Sequence, residues 1–193
     1  MPRFDSEQRF LILEYMLIWH QRYHTPVIKP ITNLNLLETF QAPHLRQLLL
    51  MNFATPIESP SLTISANLVT LCLFKIPSSA YFHPNVLLQR LYFMPQLESL
   101  WISFNLSRDD ERQLWRTPIM TRVKLPNLRC LSFRGSSTYL EVLLPWLTTP
   151  LLDKLRIYFF NRMVYSIPHL QQFMGTGETS DSILPRSIFS MIT

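Results

Sequence analysis

The chain has 193 residues, 47% of them hydrophobic, which excludes a largely disordered polymer and suffices for one domain with a sizeable core. Its formal charge is +5, from 18 basic and 13 acidic side chains spread along the chain, so a solvated surface fits better than a tract built for polyanions. Three glycines against 15 prolines argue against glycine-rich phosphate loops and suit many short elements separated by rigid turns.

In chain order, the first feature is the apolar run Phe10–Trp19. It carries Glu14 and falls short of the roughly 20 residues a membrane span needs, so no membrane partner is expected. Asp5 and Glu7 spoil a signal-peptide n-region, and no small-x-small cleavage site follows. The run is read as an amphipathic or buried helix capped by Asp5 or Ser6, within an N-terminal lead-in segment of residues 1–38. His20 and His24 stand four apart and could share a metal on a helix. No third ligand accompanies them, so they are read as surface histidines and no metal is expected. His44, His83 and His169 each sit beside a proline, which suits turns and caps.

From Leu45 a spacing begins that belongs to neither a helix nor a plain strand. L-x-x-L-x-L, or a close variant, occurs as LRQLLL from Leu45, LVTLCL from Leu68, LESLWI from Leu97, LRCLSF from Leu128 and LDKLRI from Leu152. Successive starts lie 23, 29, 31 and 24 residues apart, close to the roughly 20–29 period of leucine-rich repeats. Proline stands two residues before the first leucine at Pro43, Pro95, Pro126 and Pro150. In a short strand alternate side chains point to opposite faces, so the fourth and sixth positions point inward and share a core with the first. One unit cannot bury its leucines alone, but stacked units can. The expected fold is therefore an α/β solenoid over residues 39–174. It has about five repeats, a curved parallel sheet, and helices and loops on the convex side. Convex helices are expected at Pro84–Met94, Thr138–Leu147 and Ile167–Met174, with an irregular crossover between Leu50 and Leu68. Arg108 and Arg112 flank the acidic run Asp109–Glu111, which reads as a solvated turn, and residues 175–193 read as a flexible tail.

The third, fifth and seventh positions of each unit should face out on the open side of the sheet. The first strands then present an apolar strip of Leu49, Met51, Phe74 and Trp101. The last two present Arg134, Lys154, Arg156 and Tyr158. Large apolar side chains on an open sheet point to an interaction surface, and Trp, Tyr and Arg often anchor interfaces. The alternative is that further chain covers the strip and makes it ordinary core. Cys72 and Cys130 fall on the same face, two strands or about 10 Å apart, too far for a relaxed disulfide. Two cysteines make no disulfide framework, so a reducing compartment, cytoplasmic or nuclear, is expected. No nucleophile and base are placed together, so the reading is a non-enzymatic protein-binding module without a cofactor. Nucleic-acid binding through the basic end, or a structural fragment with no partner, are the alternatives.

The stretches TFQAPHLRQLLL, ANLVTLCLFKIP, MPQLESLWISF, LPNLRCLSFRG, STYLEVLLPWLTTPLLDKLRIYFFN and SIPHLQQFM resemble the leucine-rich-repeat region of fungal F-box proteins, especially the large basidiomycete family. They cover most of Thr39–Met174. The resemblance implies a substrate receptor whose F-box docks on the Skp1 adaptor of a cullin-RING ubiquitin ligase while the repeats hold the target protein. The chain departs from that pattern in three ways, one being that Gly175–Thr193 does not continue the repeat. Nothing in Met1–Pro30 matches the LP-x-E-like opening of an F-box, so Skp1 and cullin binding are expected only with an F-box upstream. The asparagine often found eight residues after the first leucine occurs only as Asn105.

Overall fold

The structure, a computed structural model, describes residues 13–19, 43–52, 66–77, 80–105, 121–160 and 168–175. The elements in chain order are β1 (Tyr15–Trp19), β2 (Gln47–Met51), β3 (Thr70–Ile76), α1 (Pro84–Leu91), β4 (Ser99–Phe104), β5 (Val123–Lys124), β6 (Cys130–Gly135), α2 (Ser137–Leu143), β7 (Leu147–Thr148), β8 (Lys154–Phe159) and α3 (Pro168–Gly175). The fold is α/β. Six strands form one parallel sheet in the order β1-β2-β3-β4-β6-β8, and β5 and β7 form a small parallel pair.

Register explains the leucine spacing. The fourth positions line up as Met16, Leu48, Leu71, Leu100, Leu131 and Leu155, each beside the next. The sixth line up as Ile18, Leu50, Leu73, Ile102, Phe133 and Ile157. From β2 onward both rows are buried, and they share one core with the leading Leu45, Leu68, Leu97 and Leu128. Each such side chain contributes about 1.5–3 kcal/mol by leaving water.

Each unit is tied to the next by one carbonyl that serves two amides. The carbonyl of Glu14 accepts from the N–H groups of Arg46 and Gln47, and that of Arg46 from Val69 and Thr70. The same fork recurs at Val69, Glu98 and Arg129, with distances of 2.8–3.0 Å throughout. The prolines have an equally local reason. The N–H of Leu97, Leu128 and Leu152 donates to the carbonyl three residues back, at Met94, Leu125 and Thr149. Pro95, Pro126 and Pro150 therefore occupy the second place of a β-turn, which their fixed φ suits. Where Ala66 replaces proline, Asn67 steadies the turn by donating to the Pro43 carbonyl at 2.9 Å. Asn127 does the same to Pro95 at 3.2 Å.

The reading of Phe10–Trp19 as a helix is corrected over Tyr15–Trp19, which is a strand paired in parallel with β2. Leu13, Met16 and Ile18 carry the first, fourth and sixth positions of a sixth unit and pack against the core. Tertiary pairing overrides the local signal here: an apolar run of this length fits a buried helix and a strand equally well. The sheet consequently starts within residues 1–38, ahead of the expected boundary at 39. Residues 10–12, the crossover residues 53–65, His20, His24, Asp109–Glu111 and the tail from residue 176 lie outside the described residues.

The covering helices follow the sequence closely. In α1, Pro84 takes the first turn and the His83 side chain accepts from the Asn85 N–H at 3.1 Å. Its Leu87, Leu88 and Leu91 are fully buried, as is Met94, although the helix stops at Leu91. Ser136 caps α2 by accepting from the Tyr139 N–H at 3.2 Å, and a 3-10 turn over Leu144–Trp146 replaces the helix's expected last turn. The Glu141 carboxylate on α2 accepts from the His169 and Leu170 N–H groups, both at 3.1 Å, and so caps α3 from its neighbour. Beneath the helices Phe104 sits among Tyr81, Phe82, Phe133 and Tyr139, with ring centroids 4.8–6.2 Å apart. Among the described residues, no helix is long and apolar enough to cross a membrane.

Candidate functional site

One face of the sheet carries the core and the helices; the other presents the third, fifth and seventh positions. Register arranges these as rows running across the strands. The fifth-position row is Leu17, Leu49, Cys72, Trp101, Ser132 and Arg156. The third-position row is Tyr15, Gln47, Thr70, Ser99, Cys130 and Lys154. In the seventh-position row, Met51 stands beside Phe74, and Arg134 stands between Ser103 and Tyr158. All eight side chains expected on the open face are thus on the outward-facing positions of one sheet. Leu49, Met51, Phe74, Trp101, Arg156 and Tyr158 are half-buried, while Arg134 and Lys154 are exposed.

The rows join what the sequence separates into an apolar strip and a basic end. The Phe74 and Trp101 rings meet edge to face with centroids 6.0 Å apart. From the other side, the Arg156 guanidinium lies over the Trp101 ring, 5.6 Å from its centroid. Arg156 stands two strands from Trp101, so its side chain reaches across Ser132, which is buried. The indole is held between an aromatic edge and a cation, an arrangement worth about 0.5–2 kcal/mol for the cation contact. Arg134 makes a similar contact with Phe160, at 5.7 Å.

Tyr15 and Leu17 belong to this face and were missed by the sequence reading, because β1 was read as a helix. They are 49% and 52% exposed and extend the apolar strip by one strand. The signal that finds them is L-x-x-M-x-I from Leu13, the same spacing with Met and Ile in two leucine places.

A bulge marks the upper edge of the face. Leu73 pairs with Ile102 but Ile76 with Phe104, so Phe74 and Lys75 together oppose Ser103. Lys75 has φ 53° and Asn52, just past the end of β2, φ 55°, both left-handed, and the Asn52 N–H donates to the Phe74 carbonyl at 3.0 Å. The extra residue turns Ile76 into the core and leaves Phe74 facing out beside Trp101.

Cys72 and Cys130 are free thiols. Cys72 is buried within the fifth-position row, and burial, reinforced by nearby Cys130, pushes its pKa up to about 11. It is therefore a protonated, weakly nucleophilic thiol at neutral pH. Among the described residues, no three His, Cys, Asp or Glu side chains converge in a way that could hold a metal ion. No family model, no curated protein and no solved structure matches the chain.

Proposed function

We propose that the chain is a protein-binding module, a solenoid of leucine-rich repeats whose open sheet face holds its partner. The observation that carries this reading is the outward patch centred on Trp101, with Phe74 on one side and Arg156 on the other. A half-buried tryptophan flanked by a ring and a guanidinium is the kind of anchor on which interfaces concentrate binding energy. The matching register of six strands supports the solenoid, because each unit repeats the same rows of inward and outward side chains. The confinement of Arg134, Lys154 and Arg156 to the last two strands, with Leu49, Met51 and Phe74 on the earlier ones, favours this reading over nucleic-acid binding, which uses cations distributed along a backbone.

By its resemblance to the repeat region of fungal F-box proteins, the partner would be a target for ubiquitination, met in the cytoplasm or nucleus. Docking on the Skp1 adaptor and cullin would then need an F-box joined upstream. A benzophenone amino acid at Leu49, on the open face, tests the binding reading against one at Gln89, on exposed α1. A discrete covalent adduct is expected from Leu49 in fungal cells, lost in Trp101→Ala and absent from Gln89. Equal adducts from both positions, or none from Leu49, overturn it. Gel filtration of the chain with Skp1 is expected to give two separate peaks; co-elution would show that this chain docks without an upstream F-box.

A further inference from the structure

We infer that the open face takes an extended acidic segment: one apolar anchor residue with a carboxylate side chain about two to six residues away from it. The inference rests on the protein-binding reading and names its partner class.

The argument begins with how charge is distributed over the face. Along the fifth-position row the side chains change from Leu17 and Leu49 through Trp101 to Arg156. Lys154 and Arg134 stand on the last two strands, on either side of that row. Among the described residues, none of the three rows contains a carboxylate. Glu14, Glu98 and Asp153 lie just before β1, β4 and β8, outside these rows, and Asp153 pairs with Arg129 at 3.2 Å. One end of the face is therefore apolar and the other cationic, and among the described residues its rows hold no carboxylate to neutralise it. A partner that satisfies both ends must itself be apolar at one point and anionic at another.

Strand spacing sets the distance between those points. The Arg156 guanidinium reaches to 5.6 Å from the Trp101 centroid, while Leu49 and Arg156 stand four strands apart, or about 19 Å at about 4.8 Å per strand. An extended peptide advances about 3.3 Å per residue, so it covers these spans in roughly two to six residues. Arg156 already lies over Trp101, 5.6 Å from the ring centroid, which shields one side of the guanidinium and leaves donors for a carboxylate. A nucleic acid would find the cations of these rows only on the last two strands.

The test is selection from a phage-displayed random dodecapeptide library on the full chain. Enriched peptides are expected to carry a large apolar residue and an Asp or Glu at the stated separation. A synthetic peptide of that consensus is expected to bind Arg156→Ala about tenfold more weakly. In the double variant Lys154→Glu, Arg156→Glu the selected charge should reverse to Lys or Arg at the same separation, with the thermal melt confirming that each variant folds. Enrichment that depends on Trp101 but shows no acidic preference, or no response to charge reversal, overturns this inference and leaves the protein-binding reading standing. No enrichment that Trp101→Ala abolishes overturns both. Retention of a labelled oligonucleotide instead of peptides, lost in the same double variant, also overturns it.

Discussion

Gly135 ends β6 where the chain has no room for a side chain. A Cβ there would stand 2.6 Å from the Phe133 ring and 3.0 Å from Phe104. Both rings are buried in the aromatic cluster and have little freedom to retreat. Gly135→Ala is expected to lower stability by about 1–3 kcal/mol, read as the shift in a urea melt. An unchanged midpoint would mean the rings give way. Cys72 supplies a prediction of the opposite kind, one that shows only at high pH. Its folded pKa, about 11, lies above the ordinary 9.0. The folded state therefore holds its proton longer than the unfolded chain, and stability falls as pH rises from about 9 to about 11. Cys72→Ser should flatten that fall, by no more than about 1.4 kcal/mol per pH unit. Stability curves of both proteins that stay parallel across this range would refute the assignment.

At the scale of the element, the turn before each strand is the clearest case of sequence written into geometry. Proline stands second in the turns that carry the chain into β4, β6 and β8, and Ala66 stands in that place before β3. Ala66→Pro is expected to raise stability by about 0.4–1 kcal/mol, because it restricts the unfolded chain at a site already bent the same way. A lower melting temperature would show that the Ala66 turn differs from the others. Strands β2, β3, β4, β6 and β8 and the buried faces of α1 and α2 were legible because leucine spacing and helix caps are local signals. Strand β1 was not. Leu13–Trp19 becomes a strand only through its pairing with β2, and Met16 and Ile18 disguise the leucine spacing. The small pair β5–β7 was missed for a similar reason: two residues of Val123–Lys124 have no period to read, and only the partner Leu147–Thr148 makes them a strand. The Arg156–Trp101 contact was beyond reach of the pattern, since it joins residues 55 apart through rotamers that spacing does not determine.

For the whole molecule, stability passes between neighbours. The strands β2, β3, β4 and β6 each have a partner on both sides, while β1 and β8 close the described sheet with one partner each. Amide exchange measured by mass spectrometry should accordingly be slowest in β3, β4 and β6 and fastest at β1 and β8. Uniform protection across all six strands would indicate a single cooperative block. The candidate site spans this gradient. Its aromatic centre, Phe74 and Trp101, sits on well-supported strands, whereas Leu17 at one end and Arg156 at the other sit on the outer ones.

The forked carbonyl carries one more implication. The bond between successive units uses only the main chain, at the second position of each, and occurs alike beside Glu, Arg and Val. The main-chain joint does not need a particular side chain there, although Arg129 and Asp153 add an ion pair at 3.2 Å across one of them. A whole unit could be cut out or spliced in, for example Leu97–Asn127 removed so that Gln96 runs into Leu128, and the Pro95 turn would still feed the following strand. The breadth of the exposed sheet is thus adjustable in steps of about 4.8 Å, one strand at a time, although this cut would also take Phe104 out of the aromatic cluster and β5 away from β7.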